Sequence, residues 1–389
     1  PRTMVASRSG SAATGERSVA GVAAVATGMT FAWCVLLWAR PSELVAIEPS
    51  GSCTLAFCFA APGRRLPRVG REIAMRASVD RREVNRLISS AESVGAVLDF
   101  VVLYVDSPVF DQIHVSTAFV RLAKVKAIIE RGDTERVAVP KLVNELLRAL
   151  KSRSLTAQSS ANVLWAIVSM EKQMPQLLPL IPELMATIQL VAKDMKAQNI
   201  ANVMWAAARC KIDSGASESL FVTLAERTYL GADSFNAQDI ANVFWASGKL
   251  HKRGAPVSPV LDVLPILTEV AVQRADAMTA QHIANTLWGI ADLRHEVSTS
   301  AFERDLIPIL AEMLIKKAPK VSDAKLGFDF PQVVRAFALL EINHRPLLKM
   351  VATRCQQQSM LREMNDWGLC FVTWSYSDVF QDVEFSEFR

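Results

Sequence analysis

The chain has 389 residues, 51% of them hydrophobic and 21% charged, close to an ordinary soluble protein, which excludes a wholly disordered chain, a collagen and a polytopic membrane protein. Six Cys in this length exclude a disulfide scaffold. The net charge of +4 is uneven: of 43 Lys+Arg and 39 Asp+Glu, residues 1–79 hold 9 and 4, leaving 34 and 35, so net charge gives no support to a polyanion partner.

Residues 1–79 read as an organelle-targeting leader, largely disordered with one apolar helix. Arg2, Arg8 and Arg17 precede an uncharged run from Ser18 to Ala39, long enough for one membrane-spanning helix. A basic flank and apolar core at the N-terminus fit a signal peptide, with a retained membrane anchor as the alternative. From Glu43 to Ser78 the chain is Arg-rich and acid-poor (Arg64, Arg65, Arg68, Arg71, Arg76), as a transit peptide is. Phe59-Ala60-Ala61-Pro62, between the apolar run and Arg64-Arg65, resembles the bipartite plastid leaders of dinoflagellate algae, whose Phe-Val-Ala-Pro-like motif has Val where this chain has Ala. That resemblance implies a plastid location, with the mitochondrion as alternative, and a membrane partner only through the leader before cleavage. Cys53 and Cys58 have no matching second pair and predict no zinc site.

From residue 80 to 380 one pattern dominates. Ala157-Gln158-Ser159-Ser160-Ala161-Asn162-Val163-Leu164-Trp165-Ala166 is followed by Ala197-Gln198-Asn199-Ile200-Ala201-Asn202-Val203-Met204-Trp205-Ala206. Ala237-Gln238-Asp239-Ile240-Ala241-Asn242-Val243-Phe244-Trp245-Ala246 and Ala280-Gln281-His282-Ile283-Ala284-Asn285-Thr286-Leu287-Trp288-Gly289 complete the set. The Trp residues are 40, 40 and 43 residues apart. Weaker copies flank these: Val115–Lys124 with Arg121 in the Trp slot, Phe330–Leu339, and a terminal one from Trp367 to Trp374.

Each period carries two helical patterns. Apolar stretches such as Leu142, Leu146, Leu147, Leu150 precede the signatures, and Thr156, Asn236 and Thr279 are placed to cap them. Asn236 and Asp239 have the spacing of a capping box, with Asp a weaker partner than Glu. Gly215, Gly231 and Gly254 mark breaks, and no sustained strand alternation appears. The expectation is an all-α chain, an α-solenoid of stacked helix-turn-helix repeats of about 40 residues, because one such unit cannot bury its apolar face alone. Signature helices are predicted near 157–170, 197–211, 237–250 and 280–293, with residues 381–389 as a tail.

The Gln-x-x-Ala-Asn-x-x-Trp-Ala signature resembles octotricopeptide-repeat proteins and the related FAST-kinase-like proteins of organelles, and Glu83–Ala91 resembles the opening segment of algal members. The resemblance covers roughly 300 residues. It implies sequence-selective binding of single-stranded organellar RNA, serving transcript stability, processing, splicing or translation. RNA-processing or ribosomal proteins are further candidate partners. Many members end in a small nuclease-like RAP domain. Only 15 residues follow Trp374 here, too few for one, which puts cleavage activity in doubt.

At 100° per residue, Ile240, Val243, Phe244 and Ser247 share one helical face, while Gln238, Asn242, Trp245 and Lys249 form the opposite stripe. That stripe, with Gln158, Asn162, Gln198, Asn202, Arg209, Gln281 and Asn285, is the candidate RNA-binding surface. Asn and Gln offer donors and acceptors to base edges, and Trp stacks bases. The competing reading puts Trp165, Trp205, Trp245 and Trp288 in the seam between repeats and the Asn residues in a structural ladder. Identical residues cannot discriminate bases, so selectivity falls to the varying position after Gln (Ser159, Asn199, Asp239, His282) and to that four after Trp (Ser169, Arg209, Lys249, Asp292). Arg209 and Lys249 also suit phosphate contacts.

The five His (114, 251, 282, 295, 344) form no metal-ligand pairing, His251 and His295 fall near helix ends where His caps, and Cys210, Cys355 and Cys370 read as buried thiols. No P-loop or dinucleotide fingerprint is present. The sequence therefore predicts a binding protein with no enzymatic activity and no cofactor or metal. A protein-binding scaffold of HEAT or armadillo type is the alternative.

Overall fold

The computed structural model describes residues 80–125, 133–210, 217–296 and 302–380. All lie in the second of two units into which the chain divides, Pro62–Arg389. The leader and tail expected at 1–79 and 381–389 fall outside the described residues.

Among the described residues every regular element is helical, with no strand. In chain order these are α1 (Arg81–Ser90), α2 (Val94–Tyr104), α3 (Gln112–Val125), α4 (Asp133–Lys151), α5 (Ala157–Ser169), α6 (Ile181–Val191), α7 (Ala197–Arg209), α8 (Glu218–Leu230) and α9 (Ala237–Lys252). There follow α10 (Ser258–Leu261), α11 (Leu264–Gln273), α12 (Ala280–Asp292), α13 (Ile307–Lys317), α14 (Asp323–Leu339), α15 (Arg345–Cys355), α16 (Gln358–Glu363) and α17 (Asp366–Trp374). The four signature helices are α5, α7, α9 and α12. They match the predicted spans to within two residues, apart from 211, which is not described.

The sequence sets each signature start. Thr156 and Thr279 accept the backbone N–H of Ser159 and His282 through Oγ1, and Asn236 accepts those of Gln238 and Asp239. Asp239 returns the bond by accepting from the Asn236 N–H at 3.2 Å, so this capping box is complete with Asp in place of Glu. Lys196 holds the cap position of α7 but has no acceptor in its side chain, and there Asn199 Oδ1 accepts from the Lys196 N–H. Buried Met195, Phe235 and Met278 stand one residue before the caps, with Ile200, Ile240 and Ile283 at the fourth helical position, the spacing of a hydrophobic staple.

The signature helices and the helices of the weaker copies pack on one another in chain order: α3 on α5, α5 on α7, α7 on α9, α9 on α12, α12 on α14 and α14 on α17. The alternate helices pack likewise, α2 on α4, α4 on α6, α8 on α10 and α13 on α15. Many of these alternate helices start with Pro at the first or second position (Pro182, Pro259, Pro265, Pro308, Pro346), where a missing N–H costs no hydrogen bond. Single-turn 3-10 segments follow them, and cations tie one segment to the next repeat: Arg227 to the Met195 carbonyl, Arg274 to that of Asp233, and Lys317 to those of Asp276 and Met278. The apolar segment Pro175–Asp194 is long enough to cross a membrane, yet it lays Leu177, Ile181, Leu184 and Ile188 into the core.

Three details depart from the sequence reading. The offset from cap to Trp is nine in all four signatures, and Asp111 caps α3, so Val120 rather than Arg121 takes the Trp slot there. Arg121 instead donates to the Ala91 carbonyl. Cys370 is exposed, whereas Cys210 and Cys355 are buried. His344 caps α15 by accepting from the Leu347 N–H, while His251 lies 3.5 Å from Glu296 and His295 is exposed.

Candidate functional site

The apolar stripe of α9 is fully inside: Ile240, Val243, Phe244 and Ser247 are all 0% exposed. Phe244 meets Phe302 edge-on at 5.9 Å, which points this face at the alternate row. On the opposite side Gln158, Gln198, Gln238 and Gln281 are exposed, and Asn162, Asn202, Asn242, Asn285 and the four Trp are half-buried. Small residues flank the stripe, and they let the helices close up. A Cβ on Gly289 would stand 2.1 Å from the Phe244 carbonyl oxygen, so the position after Trp, Ala in three copies, must be Gly in the fourth.

Two tracks run across this face. Asn202 Nδ2 donates to Asn162 Oδ1 at 3.2 Å, a side-chain rung between neighbouring signatures. Beside it, Trp165 and Trp205 have ring centroids 6.3 Å apart, and Trp205 and Trp245 6.4 Å, tilted by 41° and 32°. That spacing is within the range of attractive ring pairs. A base inserted between parallel rings would need roughly 6.8 Å, twice the 3.4 Å stacking distance, so these tilted indoles hold one another and leave bases only their outer edges.

The column changes character at the fourth copy. Trp288 carries the Lys249 ammonium 4.7 Å from its ring centroid and the Arg335 guanidinium 4.2 Å from it. Its Nε1–H donates to Asp292 Oδ2 at 2.8 Å, and Phe371 packs edge-on at 5.9 Å. Arg335 of α14 thus lies over the Trp288 ring, where the Trp165–Trp205–Trp245 column has another indole. Asp292, its side chain 0% exposed, pairs with Lys252 at 2.6 Å and lies 3.6 Å from Arg335 Nη1.

The varying positions prove to be parts of the helix starts. Ser159, Asn199, Asp239 and His282 each occupy the third helical position, and their side chains turn back toward the cap: Ser159 Oγ accepts from Thr156 Oγ1, Asn199 and Asp239 bond the cap N–H, and His282 Nδ1 accepts from the Thr279 N–H. Burial pushes the Asp239 carboxyl up and the His282 imidazole down, each away from its charged form. Of the second varying set, Ser169 is half-buried, Arg209 lies 3.7 Å from Glu171 and 5.5 Å from the Trp205 ring, and Asp292 belongs to the cluster around Trp288.

Gln158, Gln198, Asn199 and Asp239 meet in a cavity of about 430 Å³ at the N-terminal edge of α7 and α9, lined also by Lys196 and Arg227. Asn162, the Trp column, Arg209 and Lys249 lie farther along the helices, outside that lining. The sequence reading had no place for Arg335 and Lys252. The degenerate copy at Phe330–Leu339 was the available signal for Arg335. Among the described residues no cluster of three His, Cys, Asp or Glu is placed to hold a metal ion. A scan of protein-family models and a search of curated proteins find no match to this chain.

Proposed function

We propose that residues 80–380 form an α-solenoid that binds single-stranded RNA along the signature-helix face, acting by occupancy or recruitment in an organelle. The observation that carries this reading is the row of Gln and Asn side chains, one pair per signature helix, beside the indole column on a half-exposed face opposite the core, with Asn162 and Asn202 joined by a hydrogen bond. A periodic row of amide side chains suits a linear ligand read one unit per repeat. The exposed Gln158, Gln198, Gln238 and Gln281 have their donors and acceptors available. Asn162 and Asn202 spend one acceptor and one donor on each other and retain the rest. Ser159, Asn199, Asp239 and His282 carry less of the reading, since their side chains cap helices.

The runner-up, a protein-binding scaffold, draws on the near-neutral charge and on exposed Leu190, Val222, Tyr229 and Leu230 of α6 and α8. Direct titration of the full chain with single-stranded RNA at low salt separates the two. Binding that is lost in the paired variant Gln198→Ala, Gln238→Ala without a change in melting temperature supports the RNA face. A well-folded protein with no measurable RNA binding defeats it and promotes the scaffold. Crosslinking and sequencing of RNA bound in purified organelles then names the transcript.

A further inference from the structure

Capping occupies only one polar atom of Asn199 and of Asp239. Asn199 Oδ1 accepts from the Lys196 N–H, and Asp239 Oδ2 accepts from the Asn236 N–H. The backbone donor fixes which end of the Asn199 amide is oxygen, so the atom left over is Nδ2, a donor. On Asp239 the atom left over is Oδ1, an acceptor. Neither has a hydrogen-bond partner among the described residues, although each residue is only 5% exposed. Both side chains border the cavity of about 430 Å³ at the starts of α7 and α9, and neither free atom is sealed from solvent. Polar atoms this enclosed are costly without partners, and they point to one supplied from outside the chain. Gln158 and Gln198 border the same space with exposed amides, and Lys196 and Arg227 bring positive charge to it. Burial pushes the Asp239 carboxyl up, so its charged form gains most from an N–H donor delivered into the cavity. The volume lies in the range of small-ligand sites, roughly 300–1,000 Å³.

We propose that this cavity is a seat for one nucleobase, turned out of a strand on the signature face, with Asn199 Nδ2 and Asp239 Oδ1 reading its edge. The proposal rests on the RNA reading for the source of the base. A carboxylate oxygen accepts from the exocyclic amine of cytosine, adenine or guanine, while the amide donor meets a ring nitrogen or carbonyl oxygen of the same base. Uracil has no exocyclic amine and turns carbonyl oxygens toward the carboxylate. The seat therefore selects amine-bearing bases over uracil, and Lys196 and Arg227 serve the adjoining phosphate without sequence information. Asn199 and Asp239 thus supply a base preference that the identical Gln and Asn rows cannot.

The test uses the full chain and the variant Asp239→Asn. The variant's side-chain oxygen still accepts from the Asn236 N–H, so the cap and the melting temperature stay, while the atom left for the cavity changes from acceptor to donor. Both proteins are titrated with short oligo(C) and oligo(U) at one salt concentration, since the two bases match in ring size and differ at the edge in question. The parent should bind oligo(C) about tenfold tighter than oligo(U), and Asp239→Asn should reduce or reverse that ratio. The ratio, unlike either affinity, is insensitive to the lost charge. The same ratio in parent and variant, both folded and both binding RNA, overturns the proposal and leaves the RNA reading standing. The free nucleotides CMP and UMP separate the sources. If no RNA binds, but CMP raises the melting temperature of the parent more than UMP does and Asp239→Asn loses that difference, the seat takes a free nucleotide and the RNA reading falls. Neither RNA binding nor a CMP response overturns both.

Discussion

Replacing Gly289 by Ala tests the close approach of α9 and α12. The added methyl would stand 2.1 Å from the Phe244 carbonyl oxygen, 2.4 Å from its carbon and 2.8 Å from the Trp245 nitrogen. All three are backbone atoms, so no side chain can swing away. Carbon–oxygen contacts need about 3.2 Å, so the helices must part by roughly 1 Å. Overpacking of this kind costs about 1–3 kcal/mol, against a gain of at most about 1 kcal/mol from better helix propensity. The net loss should lower the melting temperature by several degrees, at about 2–4 °C per kcal/mol for a chain of comparable size. Circular dichroism melts check this, with Gly95→Ala as control, where the nearest atom to an added Cβ is Ser93 Oγ at 4.0 Å. The control should melt at or slightly above the parent. A Gly289→Ala protein as stable as the control would refute the argument that the repeat contact is backbone-limited.

Burial pushes the Asp329 carboxyl up to about 6. Its folded pKa then exceeds the unfolded value near 3.9, so the fold holds the extra proton, and this group's contribution falls as pH rises from about 4 through 6, by up to about 3 kcal/mol. Asp329→Asn should raise the urea midpoint at pH 7 and flatten it between pH 4 and 7, and a midpoint that stays as pH-dependent as the parent's contradicts the burial cause. His282 has the opposite sign: its pKa is lowered by burial, so its cap to Thr279 is present above the unfolded value near 6.5 and is lost as pH falls through the folded one. His282→Asn should keep the cap at both pH 7 and 5, while His282→Ala loses about 1 kcal/mol at pH 7; equal stability of the two variants at pH 7 argues against a capping role. Residues 1–79 fused to a fluorescent protein should reach an organelle, and a uniformly cytosolic signal counts against the leader.

The signature helices were legible because three constraints coincide in one short segment. A cap, a third-position partner and an apolar stripe at 3.6-residue spacing all place α9 at Ala237, and the same holds for α12 at Ala280. The alternate row was read only coarsely. It shares no side-chain motif, and its marker, Pro at the first helical positions, has meaning only once the helix start is known. Of the site, the polar stripe and its exposure followed from periodicity. The role of Ser159, Asn199, Asp239 and His282 did not, because a residue three past a cap reads equally well as a surface group until its rotamer is seen. Arg335 escaped for a further reason: its place beside Trp288 depends on a contact between helices that the signature spacing does not predict, since nine residues past the Ser322 cap stands Pro331.

The three coupled indoles have an optical consequence. Trp165, Trp205 and Trp245 hold their rings 6.3 and 6.4 Å apart at fixed tilts. Transition dipoles that close do not absorb independently, so the column should give an excitonic band pair in the circular dichroism spectrum, absent from Trp288, whose faces are covered by cations. The protein thus carries its own spectroscopic ruler: a change of pitch between the middle repeats would alter the splitting with no label attached.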